Sequence, residues 1–228
     1  MIRNVFLDLD DTILDFHAAE HVALSATLTE MGVEPTPAVL KRYGEINRGC
    51  WQRLERRELT RTEVLHERFR MLYEELGACI DPVKTQATYE YRLSLEHPFM
   101  EGGAELLDAL YGKYRLYLAS NGTAAVQDRR IADTGIAKYF DGIFISQRVG
   151  HDKPSREFFD ACFASDKDLS PSQSVIVGDS LTSDIQGGLN YGMLTCYFNP
   201  HGRENLTGIK PDYEIRSLGE LPELLRRI

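Results

Sequence analysis

The sequence predicts an α/β fold, a doubly wound parallel sheet interrupted once by an inserted α-helical cap domain. Three observations carry this reading. Short runs of branched and aromatic residues recur along the chain, helical patterns lie between most of them, and one long segment near the N-terminus has helical spacing alone.

The apolar runs are Val5 to Leu9, Leu116 to Ala119, Ile143 to Ile145, Val175 to Val177 and Leu194 to Phe198. Each is near-continuously apolar and does not alternate, which is the pattern of a strand covered on both faces. Helical patterns follow at Gly103 to Leu110, Ala124 to Thr134, Pro154 to Ala164 and Thr182 to Tyr191. Strands alternating with helices imply parallel crossovers, and repetition of that unit builds a sheet with helices on both sides. From Asp15 to His97 the alternation stops. That stretch is too long for a loop in a compact domain. It carries helix formers over Ala18 to Met31, Ala38 to Leu54, Thr62 to Leu76 and Pro82 to Leu95, divided by the turn-like segments GVEPTP, RRELT and GACIDP. The expected division is therefore a core of residues 1–14 and 98–228 and a helical cap of residues 15–97.

Composition narrows the class. At 43% hydrophobic and 27% charged, the 228 residues can bury a real core and are not those of a disordered or fibrous chain. The four cysteines are scattered with no CxxC pair, which argues against a disulfide framework and a zinc site and fits a reducing cytoplasm. Three acids interrupt the N-terminal MIRNVFLDLDDT, so it does not read as a secretory leader, and no apolar run reaches the length of a membrane span. No membrane partner is expected. A net charge of −9 disfavours a nucleic-acid polymer, because such binding rests on Lys and Arg neutralising phosphates. The imbalance is uneven: Lys41 to Arg70 holds nine Lys or Arg against five Glu. A solvated helix face laced with ion pairs is favoured there over a patch that steers anions.

The chemistry concentrates at strand ends. The first strand runs into Asp8-Leu9-Asp10-Asp11-Thr12. Successive strand residues point to opposite faces, so Asp8 and Asp10 share one at the carboxyl end, where open α/β sheets bind ligands. Two carboxylates so close are unfavourable unless a cation or a shared proton relieves them. A lone DxD could still be only a strand-to-turn exit capped by Asp11. The second strand enters Ser120-Asn121-Gly122, which offers a hydroxyl, an amide and backbone donors to a phosphoryl oxygen, although Asn-Gly is also an ordinary turn. Lys153-Pro154 follows the third strand with proline expected at an early helical position. The fourth strand enters Gly178-Asp179-Ser180-Leu181-Thr182-Ser183-Asp184, where an Asp alone could be a helix cap.

Taken together, DxDxT, SNG, KP and GDxxxxD follow in order at successive strand ends. This set resembles the haloacid-dehalogenase superfamily, and the resemblance spans the chain, including a helical cap just after the first motif. It implies a Rossmann-like core and an enzyme, a phosphatase, in which Asp8 attacks phosphorus to form an aspartyl-phosphate. Asp10 is then the general acid and base. Mg²⁺, for which Mn²⁺ can substitute, is expected on Asp8, the backbone carbonyl of Asp10 and Asp179, with Asp184 acting through water or on Lys153. Ser120, Asn121, Gly122 and Lys153 are expected to contact or stabilise the transferring group. The superfamily's dehalogenases lack an acid at the position of Asp10, so a phosphatase is favoured.

The substrate reading rests on the cap. Asn47-Arg48-Gly49-Cys50-Trp51, Leu59-Thr60 and His66-Glu67-Arg68-Phe69, with residues 177–199 of the core, look like the bacterial house-cleaning pyrimidine 5′-nucleotidases. The resemblance implies pyrimidine nucleoside monophosphates as substrates. Trp51 could stack on a base, but a sole Trp among helices is more often core. A sugar-phosphate or phosphoglycolate phosphatase stands as the second reading. A catalytically silent phospholigand-binding protein is a third, of another class, and the presence of every charged station argues against it. The expected partner is a small phosphate ester, and the expected state a monomer or homodimer.

Overall fold

The computed structural model describes residues 1–228, leaving aside the side chain of Glu55. The strands are β1 (Asn4–Leu7), β2 (Arg115–Ser120), β3 (Gly142–Ile145), β4 (Ser174–Gly178), β5 (Leu194–Phe198) and β6 (Tyr213–Ile215). The helices are α1 (Phe16–Glu30), α2 (Pro37–Glu55), α3 (Arg61–Leu76), α4 (Pro82–Leu93), α5 (Gly103–Leu110), α6 (Ala124–Thr134), α7 (Ser146–Val149), α8 (Arg156–Ala164), α9 (Gln186–Tyr191) and α10 (Leu221–Arg227). They form two compact units, residues 1–16 with 97–228, and residues 17–96.

In the first unit all strands run parallel in the order β3-β2-β1-β4-β5-β6. The strand order reverses beside β1, and a crevice opens at the carboxyl ends of strands at such a reversal. Alternate residues of each strand enter separate cores. Val5, Leu7, Leu116, Leu118, Val175 and Val177 pack with Leu106, Leu107 and Leu110 of α5 and Leu221 and Leu225 of α10. Phe6, Tyr117, Ala119 and Ile176 pack with Phe158, Phe159 and Cys162 of α8. Burial on both faces explains the unbroken apolar runs, each large side chain contributing about 1.5–3 kcal/mol.

Three local expectations are corrected. β1 ends at Leu7, not Leu9, because the chain turns at once: Asp11 takes a positive φ of 57°, and the N–H groups of Ile13 and Leu14 both donate to the Leu9 carbonyl. α8 begins at Arg156, not Pro154, since Ser155 is the cap that accepts from the Phe158 N–H. Pro154 therefore lies outside the helix. The helix expected over Thr182 to Tyr191 opens instead with a π-helical turn, Leu181–Ile185.

The second unit holds α2, α3, α4 and all of α1 but Phe16. Its helix starts are written locally. Thr36 caps α2 ahead of Pro37, Asp81 caps α4 ahead of Pro82, and Thr60 and Glu63 form a reciprocal capping box on α3. Tyr43, Phe69 and Tyr89 make its aromatic centre, and beside them the buried Arg68 donates to Asn47 Oδ1 at 2.9 Å and Gln86 Oε1 at 2.8 Å. Much of the basic character of residues 41–70 is engaged in exposed pairs, Arg42 with Glu45 and Glu75, Arg56 with Glu58, and Arg70 with Glu67 and Glu74. These pairs are the ion-laced helix face favoured from sequence, and their exposure to solvent screens them, so they add little to stability.

Candidate active site

Asp8 sits one residue beyond β1 and extends the ladder, its N–H donating to the Val177 carbonyl at 3.0 Å. Lys153, from the segment after α7, reaches it from beneath. The buried Nζ donates to Asp8 Oδ1 at 2.7 Å, Asp184 Oδ1 at 2.7 Å and the Ala119 carbonyl at 2.5 Å. An ammonium has three hydrogens, so all three are committed. Asn121 fixes this lysine's backbone in both directions, accepting from the Lys153 N–H at 2.8 Å and donating to its carbonyl at 2.9 Å. The Asn121 carboxamide is thus engaged in holding the lysine loop, a duty its turn-forming pattern did not reveal.

Asp8, Asp179 and Asp184 each present an oxygen, and these oxygens all lie within 4.8 Å of one another. Burial pushes the Asp8 carboxyl up to about 8 against the opposing pull of Lys153, with Asp184 and Asp10 adding repulsion. Burial, then Asp8, Asp184 and Asp11, holds Asp179 well above the usual carboxylate range. Burial works to lower Lys153, but Asp184 and Asp8 outweigh it and raise the ammonium above its ordinary value. One ammonium against three carboxylates leaves a deficit of positive charge among oxygen donors. That donor set fits a hard divalent cation.

Asp10 is held by residues that the sequence reading missed. Its Oδ1 accepts from Arg130 Nη1 at 2.5 Å and its Oδ2 from Gln127 Nε2 at 2.6 Å. Gln127 also donates to Ser120 Oγ at 2.9 Å, and Gly122 N–H donates to the same oxygen at 3.1 Å. Ser120 and Gly122 are therefore joined to Asp10 through Gln127. The available signal was that α6 places Gln127 and Arg130 three apart on the face that also buries Val126 and Ile131.

The π-helical turn folds Asp184 back under β4, where its Oδ2 accepts from the Ser180 N–H at 3.1 Å. Gly178 makes room for it. A Cβ there would lie 2.2 Å from Asp184 Oδ2 and 2.3 Å from its Cγ. Gly178→Ala is expected to displace Asp184 from Lys153, reducing kcat by about tenfold or more and costing roughly 1–3 kcal/mol of stability. Wild-type kcat and denaturation midpoint in this variant would refute the arrangement.

Trp51 lies in the other unit, on α2. It is partly exposed, with the Arg61 guanidinium 5.5 Å from its ring centre. It is not among the fully buried residues of that unit's core.

Comparison with known proteins gives the family of the chain. The chain is 36% identical to the pyrimidine 5′-nucleotidase PynA of Streptococcus pneumoniae (97% of this chain, 94% of that protein). It is 31% identical to the pyrimidine 5′-nucleotidase YjjG of Escherichia coli (97% and 96%). The crystal structure of the Bacillus subtilis HAD-hydrolase YfnB, bound to magnesium, superposes with a TM-score of 0.94 at 37% identity over 98% of each chain. The sequence profile of haloacid dehalogenase-like hydrolases matches residues 2–192. The chain belongs to the haloacid dehalogenase-like hydrolase family.

Proposed function

We propose that this hydrolase is a Mg²⁺-dependent phosphomonoesterase acting through an aspartyl-phosphate on Asp8, with pyrimidine nucleoside 5′-monophosphates as its substrates. The observation that carries the chemistry is the cluster of Asp8, Asp179 and Asp184, whose buried members Asp8 and Asp184 both pair with Lys153. Asp8 attacks phosphorus and the ester oxygen leaves with a proton from Asp10. Asp10 then takes a proton from water, whose oxygen attacks the phosphoryl group and frees Asp8 and inorganic phosphate. Ser120 and the backbone of residues 121–122 bind phosphoryl oxygens, while Lys153 is a fixed positive charge beside the nucleophile. Mg²⁺ or Mn²⁺, held by Asp8, Asp179 and the Asp10 carbonyl with Asp184 behind them, would neutralise charge on the phosphoryl group.

The metal reading has a measurable pH signature. Asp8 and Asp179 hold protons in the fold that the unfolded chain has already released. Between the ordinary carboxylate range and about 8 the folded protein therefore binds more protons, and its stability in a chelator should fall as pH rises. The cation replaces those protons, so the rise in Tm produced by Mg²⁺ should be larger at pH 8 than at pH 5. An equal or smaller rise at pH 8 would count against the cluster as the metal site.

The nucleotide substrate is supported by the likeness to PynA and YjjG over nearly the whole chain. The second unit is read as the cap that supplies selectivity, with Trp51 stacking on the base. In a phosphatase screen, UMP and dTMP are expected above sugar phosphates and phosphoglycolate. The reverse ranking would overturn the substrate and leave the chemistry standing. Trp51→Ala should lower kcat/KM for UMP about tenfold or more while sparing p-nitrophenyl phosphate.

A further inference from the structure

We propose that Gln127 and Arg130 are positioning residues that orient the general acid Asp10 and the hydroxyl of Ser120 as one unit. This rests on the reading of Asp10 as that acid. Arg130 is wholly buried and is the largest such side chain among the described residues. A helix such as α6 does not bury an arginine without cause, because a charge leaves water at a cost unless its hydrogens find acceptors. Here Nη1 meets Asp10 Oδ1 at 2.5 Å and Gln127 Oε1 at 2.9 Å.

The second of those contacts sets the direction of the network. A guanidinium can only donate, so the oxygen of Gln127 must face Arg130. The carboxamide nitrogen is then forced to the other side, where it donates to Asp10 Oδ2 at 2.6 Å and to Ser120 Oγ at 2.9 Å. Both oxygens of Asp10 are thereby held and its plane is fixed, while a quarter of the side chain remains exposed to reach a substrate. Ser120 Oγ accepts from Gln127 and from the Gly122 N–H at 3.1 Å. A hydroxyl has two acceptor positions and one hydrogen, so what Ser120 has left is a donor for a phosphoryl oxygen.

Gly122 locks the carboxamide from behind. A Cβ at that position would fall 2.2 Å from Gln127 Nε2 and 2.6 Å from its Cδ. The turn glycine of the SNG segment is therefore also a packing surface for the orienting amide. Arg130 sets Gln127, and Gln127 sets the acid and the phosphate donor together.

The test compares two esters of nearly the same shape, p-nitrophenyl phosphate, whose leaving group needs little protonation, and p-methoxyphenyl phosphate, whose leaving group needs it. Gln127→Leu and Arg130→Met are expected to lower kcat on the methoxy ester by about thirtyfold or more and on the nitro ester by about fivefold or less, and Gln127→Leu, which also frees the Ser120 hydroxyl, should raise KM for both esters alike. Arg130→Lys, which keeps a donor for Asp10, should recover part of the loss and also serves if Arg130→Met does not fold. Parallel losses on both esters in Gln127→Leu and Arg130→Lys would show a structural role and overturn the proposal. Asp10→Asn is run beside them. If it fails to discriminate the esters, the reading of Asp10 as the acid falls and the positioning role falls with it. If Asp10→Asn discriminates and the Gln127 and Arg130 variants do not, the positioning role alone is wrong.

Discussion

Asp8→Asn is expected to abolish turnover of p-nitrophenyl phosphate, with a loss on the order of 10⁴ or more. A carboxamide is a poor nucleophile and cannot form the acyl-phosphate, so the covalent route closes. The fold should survive. Asparagine keeps an oxygen for Lys153 Nζ, now 2.7 Å from Asp8, and it removes a carboxylate that burial and its neighbours already penalise. In a chelator above pH 7 the variant should therefore be at least as stable as the wild type, and it should show no acid-stable label from a radioactive phosphate ester. Activity within about tenfold of wild type would rule out Asp8 as the nucleophile.

Lys153→Met should damage both stability and catalysis. The lysine is buried between two carboxylates, each at 2.7 Å, and methionine fills similar volume without the charge. Breaking a buried pair by removing one partner typically costs about 3–5 kcal/mol, because the remaining charge is uncompensated. Asp184 is left so here, and Asp8 joins it once the pH passes about 8. Denaturation in a chelator should show that loss, and kcat in saturating Mg²⁺ should fall by roughly 10²–10³, the effect of removing a fixed donor from a developing charge. The companion Lys153→Met with Asp184→Asn should recover part of the stability and little of the activity. Additive losses in the double variant would mean that Lys153 and Asp184 do not act as a pair.

The chain alone displayed what depends on repetition or on order. Strands buried on both faces wrote themselves as apolar runs, and the four acidic, polar and basic stations followed them in sequence. What it concealed depends on tertiary partners. β6 is three residues long and holds a glutamate, so it has no strand pattern; it is fastened to β5 by Asp212, which accepts from the Thr195 N–H and hydroxyl at 2.9 and 2.8 Å. The π-helical turn at Leu181–Ile185 has no local signature, being shaped by the return of Asp184 to the Ser180 N–H. Gln127 and Arg130 share a helix face with Val126 and Ile131, but the α6 pattern by itself registers them as polar helix residues. What only the fold reveals is their partner, Asp10, more than a hundred residues away.

The place of β1 in the sheet bears on the order in which the molecule assembles. Val5 pairs with Leu116 on one side and with Val175 on the other, so the first strand made must wait for partners far along the chain. The helices of residues 17–96 form a compact unit whose internal contacts span no more than that stretch of chain. Local contacts form quickly, while distant strand pairings carry a loop-closure cost that slows them. On a ribosome the helical unit is expected to become protected from proteolysis first, and the edge of β1 to stay open until β4 emerges. Asp8, which follows β1 directly, would then be among the last groups to be built into place.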